Sequence, residues 1–221
     1  GFEKVGPPGL DQANDGICTG NMVYNISSFK NPAYKGSRAA DGIYVDGGRN
    51  IIIEKNTVYN CDIGIELASE HEGKSTADIM VRRNYVSGSY QANIMVGGYA
   101  ADKGMAVNIT LQNNTTYMGR EGEVALQFNC RDIKIYNNIF YGLPGQDYLQ
   151  NRGSNNAGVI VDCNLYFGQS KSSPGAWPDA HALYADPKLV GPPANLQTGK
   201  DSPARRAGCA TRADAPNLGA D

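Results

Sequence analysis

One short pattern recurs six times along the chain, and it constrains the fold more than any other feature. In each copy a β-prone run ends in Asn and is followed by a pair of residues suited to the next strand. The residues are Asn21, Asn56, Asn84, Asn114, Asn138 and Asn164, separated by 35, 28, 30, 24 and 26 residues. Repeats of this length are typical of solenoids, in which each unit stacks on the one before. The sequence therefore predicts an all-β, right-handed parallel β-helix with roughly two dozen residues per coil.

The choice of Asn at this position has a physical reason. Asn tolerates left-handed backbone at a sharp corner, and its amide can hydrogen-bond to the equivalent Asn one coil above and below. We therefore expect a ladder of stacked asparagines at a buried corner. A β-sandwich also has short strands and many turns, but it does not require Asn in register at the same strand end.

A second set of strands precedes the Asn-ending strands, and its alternation predicts which side chains face the core. Predicted to point inward are Ile43, Val45, Ile65, Leu67, Ile94 and Val96. Predicted to point outward are Tyr44, Asp46, Glu66 and Met95. One outer face of the helix should therefore carry acids.

The repeat spacing also predicts how the chain is organised. Residues 1–20 read as a lead-in, residues 21–168 as the coils of one domain, and residues 169–221 as an irregular tail that wraps the last coil. The longer separations predict inserted loops at residues 30–38 and 99–105. Loops inserted into a solenoid commonly line the sides of its binding face. A solenoid needs a cover over its first coil, so we expect an upstream segment or a partner chain there.

Charge and hydropathy exclude two classes of partner. The 221 residues carry a formal net charge of −2, which provides no basic field for nucleic acid or for an anionic membrane surface. No apolar run approaches the roughly 18 residues that a membrane span needs. We therefore predict neither a nucleic-acid partner nor a membrane partner.

Cysteine spacing and glycosylation sequons give weaker expectations. The five cysteines lack any C-x-x-C spacing, which argues against a structural zinc site, and their odd number leaves at least one thiol unpaired. Four N-x-S/T sequons begin at Asn25, Asn108, Asn113 and Asn114. They would accept glycans, making the chain a glycoprotein, only in a eukaryotic secretory route.

The tail carries a resemblance to a known group. It contains Ala185-Asp186-Pro187, then Ser202-Pro203-Ala204 and finally Leu218-Gly219-Ala220. This order resembles the closing segment of secreted β-helix proteins of the pectate-lyase-like superfamily, and the stretches 41–48 and 63–71 resemble repeats of the same group. The resemblance implies a carbohydrate ligand along an outer strand face and a secreted, periplasmic or extracellular location. It does not select a chemistry, because lyases, hydrolases, epimerases and adhesins share the fold.

Acids are concentrated on two successive predicted coils. Asp41 and Glu66 are 25 residues apart, and Asp46 and Glu70 are 24 apart, which is about one coil in each case. Their side chains should therefore project from adjacent rungs about 4.8 Å apart. Paired carboxylates at such spacings serve glycoside hydrolysis, and crowding raises the pKa of one of them as a general acid requires. With the neighbouring His71, these four acids are the candidate catalytic residues.

Simpler explanations exist for several of these residues. Asp41 and Asp46 each precede glycine and could be turn formers, whereas Glu66 stands mid-strand with no turn role. Around the acids, the candidate substrate-binding residues are Tyr44, Lys74, Arg82, Tyr99, Lys103 and Gln127. On the next coils Glu121 and Glu123 are expected to continue the same outer side. No metal ligands are assigned and no cofactor is required, although Ca²⁺ could bind acids assembled across coils.

These features favour hydrolysis of a glycosidic bond in a polysaccharide or oligosaccharide, with a bell-shaped pH profile in the mildly acidic range. One alternative is a polysaccharide lyase that removes the C5 proton of a uronate, for which His71, Lys74 and Arg82 would matter more. Another is a non-catalytic β-helix for carbohydrate binding or adhesion.

Overall fold

The predicted solenoid is confirmed by the computed structural model, which describes residues 11–168, 174–209 and 217–221. The described chain is nearly all β-strand, and the strands of successive coils pair in parallel. The only helical element in these ranges is one 3₁₀ turn, Pro32–Tyr34. None of the described helical structure is long and apolar enough to cross a bilayer. Residues 1–10 of the predicted lead-in and two stretches of the tail lie outside the described residues.

Three parallel sheets form the walls of the β-helix, and each of the first five coils gives one strand to each sheet. Sheet A contains β1 (Asn14–Thr19), β4 (Arg49–Glu54), β7 (Ser75–Arg82), β10 (Met105–Gln112), β13 (Cys130–Tyr136) and β16 (Ile160–Asp162). Sheet B contains β2 (Met22–Tyr24), β5 (Thr57–Tyr59), β8 (Tyr85–Ser87), β11 (Thr115–Tyr117), β14 (Ile139–Tyr141), β17 (Leu165–Phe167) and β18 (Leu183–Tyr184). Sheet C contains β3 (Asp41–Asp46), β6 (Ile63–Ala68), β9 (Ile94–Val96), β12 (Val124–Leu126) and β15 (Leu149–Asn151).

The tail contributes both to the coils and to a separate hairpin. Strand β18 adds a further parallel rung to sheet B, with Leu183 beside Leu165. Strands β19 (Leu189–Gly191) and β20 (Asn195–Thr198) pair with each other in antiparallel fashion. A disulfide between Cys163 and Cys209 ties the tail to the corner after β16.

The core runs along the axis of the helix and is made by one face of each sheet. Val45, Ile65, Leu67, Ile94 and Val96 are buried in it, as the alternation predicts. The period of two in side-chain direction explains this, since residues i and i+2 of a strand point to the same face.

The asparagine ladder is present and continuous. The side-chain amide nitrogen of each ladder Asn donates to Oδ1 of the Asn one coil further on, at 2.9 to 3.1 Å, and its backbone N–H donates to the same oxygen. Asn56, Asn84, Asn114 and Asn138 are fully buried. The last rung is Asn164, which donates to the carboxylate of Asp179 at 2.9 Å. A carboxylate only accepts hydrogen bonds, so it satisfies the last donor and ends the ladder.

The conformational part of the ladder prediction was wrong. The ladder asparagines do not have positive φ; the residue just before each of them does, with φ between 53° and 69°. These corner residues are Gly20, Lys55, Arg83, Asn113, Asn137 and Cys163. Such varied residue types are held left-handed because the hydrogen-bonded Asn that follows fixes the corner, so Asn is required for its amide rather than for its backbone freedom.

Two of the four sequons are buried and two are exposed. Asn113 and Asn114 are buried and hydrogen-bonded, so their amides are not open to a glycan in the folded chain, whereas Asn25 and Asn108 are exposed.

Beyond the disulfide pair, the three remaining cysteines are free thiols, which agrees with the expected unpaired thiol.

The ladder generates a stability prediction. In Asn84→Leu, Oδ1 of Asn114 and the carbonyl oxygens of Ile53 and Arg82 lose a buried donor, and the backbone and side-chain donors of Asn56 lose their acceptor. We expect the free energy of unfolding to fall by about 1 to 3 kcal/mol, measured by urea denaturation. Leucine at the exposed corner residue Lys55 changes no ladder contact and is the control. An unchanged stability of Asn84→Leu would contradict a structural role for the buried ladder.

In the part of the chain that the structure describes, the first coil has an open side. Among residues 11–168, 174–209 and 217–221, no strand pairs with the outer edges of β1, β2 or β3. Its inward side chains Cys18, Val23 and Ile43 are only partly buried, although they pack against the core. Unpaired strand edges beside apolar side chains favour association with another strand-bearing segment.

We therefore expect the chain to associate through this coil, with molecular mass rising with concentration in light scattering and small-angle scattering. Val23→Lys should weaken the association, because an inward ammonium at the open side disfavours stacking yet can still reach water. Met22→Lys changes the outward, exposed neighbour and is the control. A compact monomer at every concentration would show that the coil needs no partner.

Candidate functional site

The candidate site lies on the outer face of sheet C, where β3 and β6 bring the predicted acids together. The register places Tyr44 beside Glu66 and Asp46 beside Ala68. Asp41 precedes Gly42, at which a Cβ would lie 2.7 Å from the carbonyl oxygen of Gly64 on the next coil. Glycine at position 42 therefore lets the two coils approach closely beside Asp41.

Asp41 and Glu66 form a hydrogen-bonded carboxyl pair. Burial, the charge of Asp41 and the hydrogen bond to it together raise the pKa of Glu66 to about 9. Burial likewise raises the pKa of Asp41, to about 6, although the hydrogen bond from Glu66 opposes this shift. Oδ1 of Asp41 is buried and receives no hydrogen bond from an amide or hydroxyl group among the described residues. At neutral pH the pair therefore holds one proton, mainly on Glu66.

Two further acids surround this pair. The hydroxyl of Tyr44 donates to Oε1 of Glu70 at 3.4 Å, and the backbone N–H of Glu70 donates to Oδ1 of Asp46 at 3.2 Å. Negative charge on Glu70 and Asp46 adds to the rise in the pKa of Glu66. Burial and the same acids also raise the pKa of Tyr44, which stays a neutral hydrogen-bond donor. Four carboxyl groups and one phenol therefore share this face.

The floor beside the acids is apolar. Met95 follows Glu66 in register, and it points away from the main core as expected, yet its side chain is fully buried. It packs with Ile63, Ala92 and Ala125 in a small cluster of their own, and Nε2 of Gln127 donates to its sulfur. The expectation of a solvent-facing Met95 was wrong because this cluster covers it. Because Met95 and its apolar cluster exclude water beside Glu66, the charged form of Glu66 is disfavoured.

The two inserted loops are anchored at opposite ends of the β6 strand. In the first, Arg38 pairs with the buried Asp62 at 3.1 Å, and its guanidinium lies 3.9 Å from the ring centroid of Tyr90. Asp62 directly precedes β6, so this loop is fixed beside the strand start. In the second loop, Gly104 N–H donates to the carbonyl of Ser69, just after β6 ends. The loops therefore flank the acidic face on both sides.

The structure does not bring all of the predicted site residues to the carboxyl pair. Arg82 lies on sheet A and pairs with Glu54 at 2.7 Å, because strand β7 belongs to a different wall of the helix. Lys74 pairs with Asp11 at 2.7 Å. His71 lies in the turn after β6, where its carbonyl accepts from the Lys74 N–H.

The remaining predicted residues lie on the second loop and the floor. Tyr99 is 60% exposed, and the ammonium of Lys103 lies 5.4 Å from its ring centroid while pairing with Asp102. Gln127 covers Met95 and holds a buried Oε1 with no hydrogen-bond partner among the described residues. Whether Ca²⁺ binds the acidic face stays a prediction.

Sequence reasoning misjudged two carboxyl groups. Glu123 was expected to continue the outer acidic side, but it is fully buried and accepts from the amide of Asn93 at 2.7 Å and the N–H of Gly119 at 3.0 Å. Burial raises its pKa to about 7. Asp62 was not singled out, although it accepts from Ser27, Ser28 and Arg38 and holds the first loop. Its position directly before a predicted strand was the available signal.

Fold and site together define the class of protein: a parallel β-helix with a proton-sharing carboxyl pair on an outer face between two loops. No family model matches the chain. The uncharacterized protein YwoF of Bacillus subtilis (strain 168) is 31% identical to it over 191 residues, which is 76% of this chain and 41% of YwoF. The chain thus spans less than half the length of this relative. The structure of XylC in complex with xylose has a TM-score of 0.42 and 15% identity, covering 80% of this chain and 35% of XylC. That likeness is too distant to indicate a function.

The raised pKa of Glu66 generates a prediction about stability and pH. The folded protein holds the Glu66 proton more tightly than the unfolded chain does. This carboxyl group therefore stabilises the fold fully below its unfolded pKa of 4.5, and the contribution is lost as the pH rises through the folded value. For Glu66 that window ends at about 9. Wild-type stability should therefore fall faster between pH 5 and 9 than that of Glu66→Gln, by at most ~1.4 kcal/mol per pH unit.

Urea denaturation at a series of pH values measures this difference. Glutamine at position 66 keeps a hydrogen-bond donor for Asp41 but cannot ionise. Glu123 is present in both proteins, so its contribution to the pH dependence of stability cancels in the comparison. Parallel pH profiles for the two proteins would show that Glu66 is not protonated in the fold.

Proposed function

We propose that this protein hydrolyses glycosidic bonds in a polysaccharide or oligosaccharide, with Glu66 as the general acid. The observation that carries the proposal is the hydrogen-bonded pair of Asp41 and Glu66, in which Glu66 holds a proton at neutral pH on an open outer face. A carboxyl group kept neutral by burial and a neighbouring acid can protonate a leaving-group oxygen.

The second role in hydrolysis falls to another acid. The two acting carboxyl groups of a glycosidase stand about 5 to 5.5 Å apart in retaining enzymes and about 6.5 to 9.5 Å apart in inverting ones. Hydrogen-bonded carboxyls are too close to flank a sugar bond, so Asp41 acts by holding the proton on Glu66. Asp46 and Glu70 are then the candidates for activating water or attacking the sugar. From the register, the Cα atoms of Asp46 and Glu66 lie roughly 8 Å apart.

The distribution of cations favours hydrolysis over elimination. A lyase neutralises a uronate carboxylate and needs a base for the C5 proton. Lys74 and Arg82 are each held in an ion pair, and Arg82 lies on another sheet. Four acids on one face would also repel a polyuronate, so a neutral glycan is the better fit. Tyr44, 37% exposed between Glu66 and Glu70, presents an aromatic ring for stacking on a sugar.

Location is part of the same proposal. The disulfide between Cys163 and Cys209 supports an oxidising compartment, such as the periplasm or the outside of a cell, where polysaccharides are also met.

A panel of neutral and uronate-containing polysaccharides tests the reaction class. We expect new reducing ends from a neutral glycan without absorbance at the unsaturated-uronate band. Reducing ends together with that absorbance would establish elimination instead. Binding without either product would establish a non-catalytic carbohydrate-binding protein.

Variants test the assignment of Glu66. Glu66→Gln should lower kcat by about 10² to 10⁴-fold with folding intact, because a positioned general acid contributes that much. Glu54→Gln makes the same chemical change on sheet A and should keep full activity. Near-normal turnover by both Glu66→Gln and Asp46→Asn would rule out paired-carboxylate chemistry. The candidate mechanism would then be the one that uses the basic residues His71 and Lys74.

The pH profile gives an independent check on the same residue. Activity should fall above about pH 9, where Glu66 loses its proton. The expected optimum is therefore less acidic than crowding of carboxylates alone suggests. An alkaline limb well below pH 7 would show that another group is the acid.

A further inference from the structure

A second cluster of reactive side chains lies far along the helix from the acidic face, at the corner after β16. Asp162 ends that strand, and Cys163 follows it as the left-handed corner residue with φ of 59°. The tail brings His181 and Cys209 to the same place. Cys163 and Cys209 are joined as a disulfide, and Nδ1 of His181 lies 2.7 Å from Oδ1 of Asp162.

The four side chains offer a set of metal ligands. One ligand atom from each of Asp162, Cys163, His181 and Cys209 lies within 4.8 Å of the others. Two sulfurs, an imidazole and a carboxylate are donors that zinc takes in tetrahedral sites. The His181 side chain is 69% exposed, so an ion can reach it from solvent.

A disulfide alone does not account for this arrangement. The bond between Cys163 and Cys209 would tie the tail to the coil without any histidine or carboxylate beside it. Two thiolates balance the charge of Zn²⁺, and the imidazole and carboxylate complete four ligands from three separate stretches of chain. Ligands assembled in this way have no C-x-x-C spacing, so the sequence does not show the site.

We propose that reduction of the Cys163–Cys209 disulfide converts this corner into a Zn²⁺ site. A dithiol reductant gives two electrons and two protons to the disulfide, yielding two thiols and an oxidised, cyclic disulfide of the reductant. The two thiols lose their protons when they bind the ion. The tail is thus tied to the last coils by a covalent bond in the oxidised protein and by a metal in the reduced protein.

Cobalt and zinc titrations of the untagged full chain test this proposal. After reduction by a dithiol and removal of the reductant without air, Co²⁺ should give the intense visible bands of a tetrahedral site and a thiolate-to-cobalt band, at one ion per chain. Zn²⁺ should displace the cobalt, and the oxidised protein should show neither spectrum. Circular dichroism checks that the reduced chain keeps its strand content.

Paired variants separate this site from the other thiols. His181→Ala should weaken Co²⁺ binding at least tenfold, and Cys209→Ser should weaken the thiolate-to-cobalt band by about half or more, because one of two thiolates is lost. His71→Ala and Cys18→Ser should match wild type. Folded, reduced wild type that binds no Co²⁺ would overturn the proposal. So would an unchanged cobalt spectrum in Cys209→Ser, since the ion would then be held by other thiols.

Discussion

The structure depends on hydrogen bonding between equivalent asparagines of successive coils. Each ladder Oδ1 accepts from both the backbone and the side chain of the Asn before it, so every coil fixes the corner of its neighbour. This sets the register of all three sheets, and it explains how Lys55, Arg83 and Cys163 are held in left-handed backbone. Asp179 ends the ladder because a carboxylate accepts hydrogen bonds and donates none.

The acidic face follows from that register. With Tyr44 beside Glu66 and a glycine after Asp41, two carboxyl groups from adjacent coils meet above an apolar floor. Burial and mutual repulsion then disfavour two charges and keep one proton in the pair. The same stacking that stabilises the helix therefore crowds the carboxyl groups into a pair that shares one proton, which makes the stability of the fold decrease as the pH rises.

Most of the fold could be predicted because periodicity is a property of the sequence. The spacing of Asn56, Asn84 and Asn114 reports the coil length, and alternation separates Ile65 from Glu66. The site was predicted only in part. Spacing by one coil brought Asp41 and Glu66 into consideration together, but Asp41 read equally well as a turn former, and Arg82 was assigned to a face on which it does not lie. The residues along a strand do not identify which of the three sheets that strand joins.

The sequence by itself determined the repeat, the inward and outward faces of the strands and the concentration of acids on two coils. Local spacing encodes all three. Only the tertiary structure decided that Glu66 pairs with Asp41, that Met95 and Glu123 are buried, and that Asp162, Cys163, His181 and Cys209 meet at one corner. These outcomes depend on loops and on a tail that returns to the coils from distant positions. Burial and charge coupling between such segments are set by three-dimensional distance, which no spacing along the chain specifies.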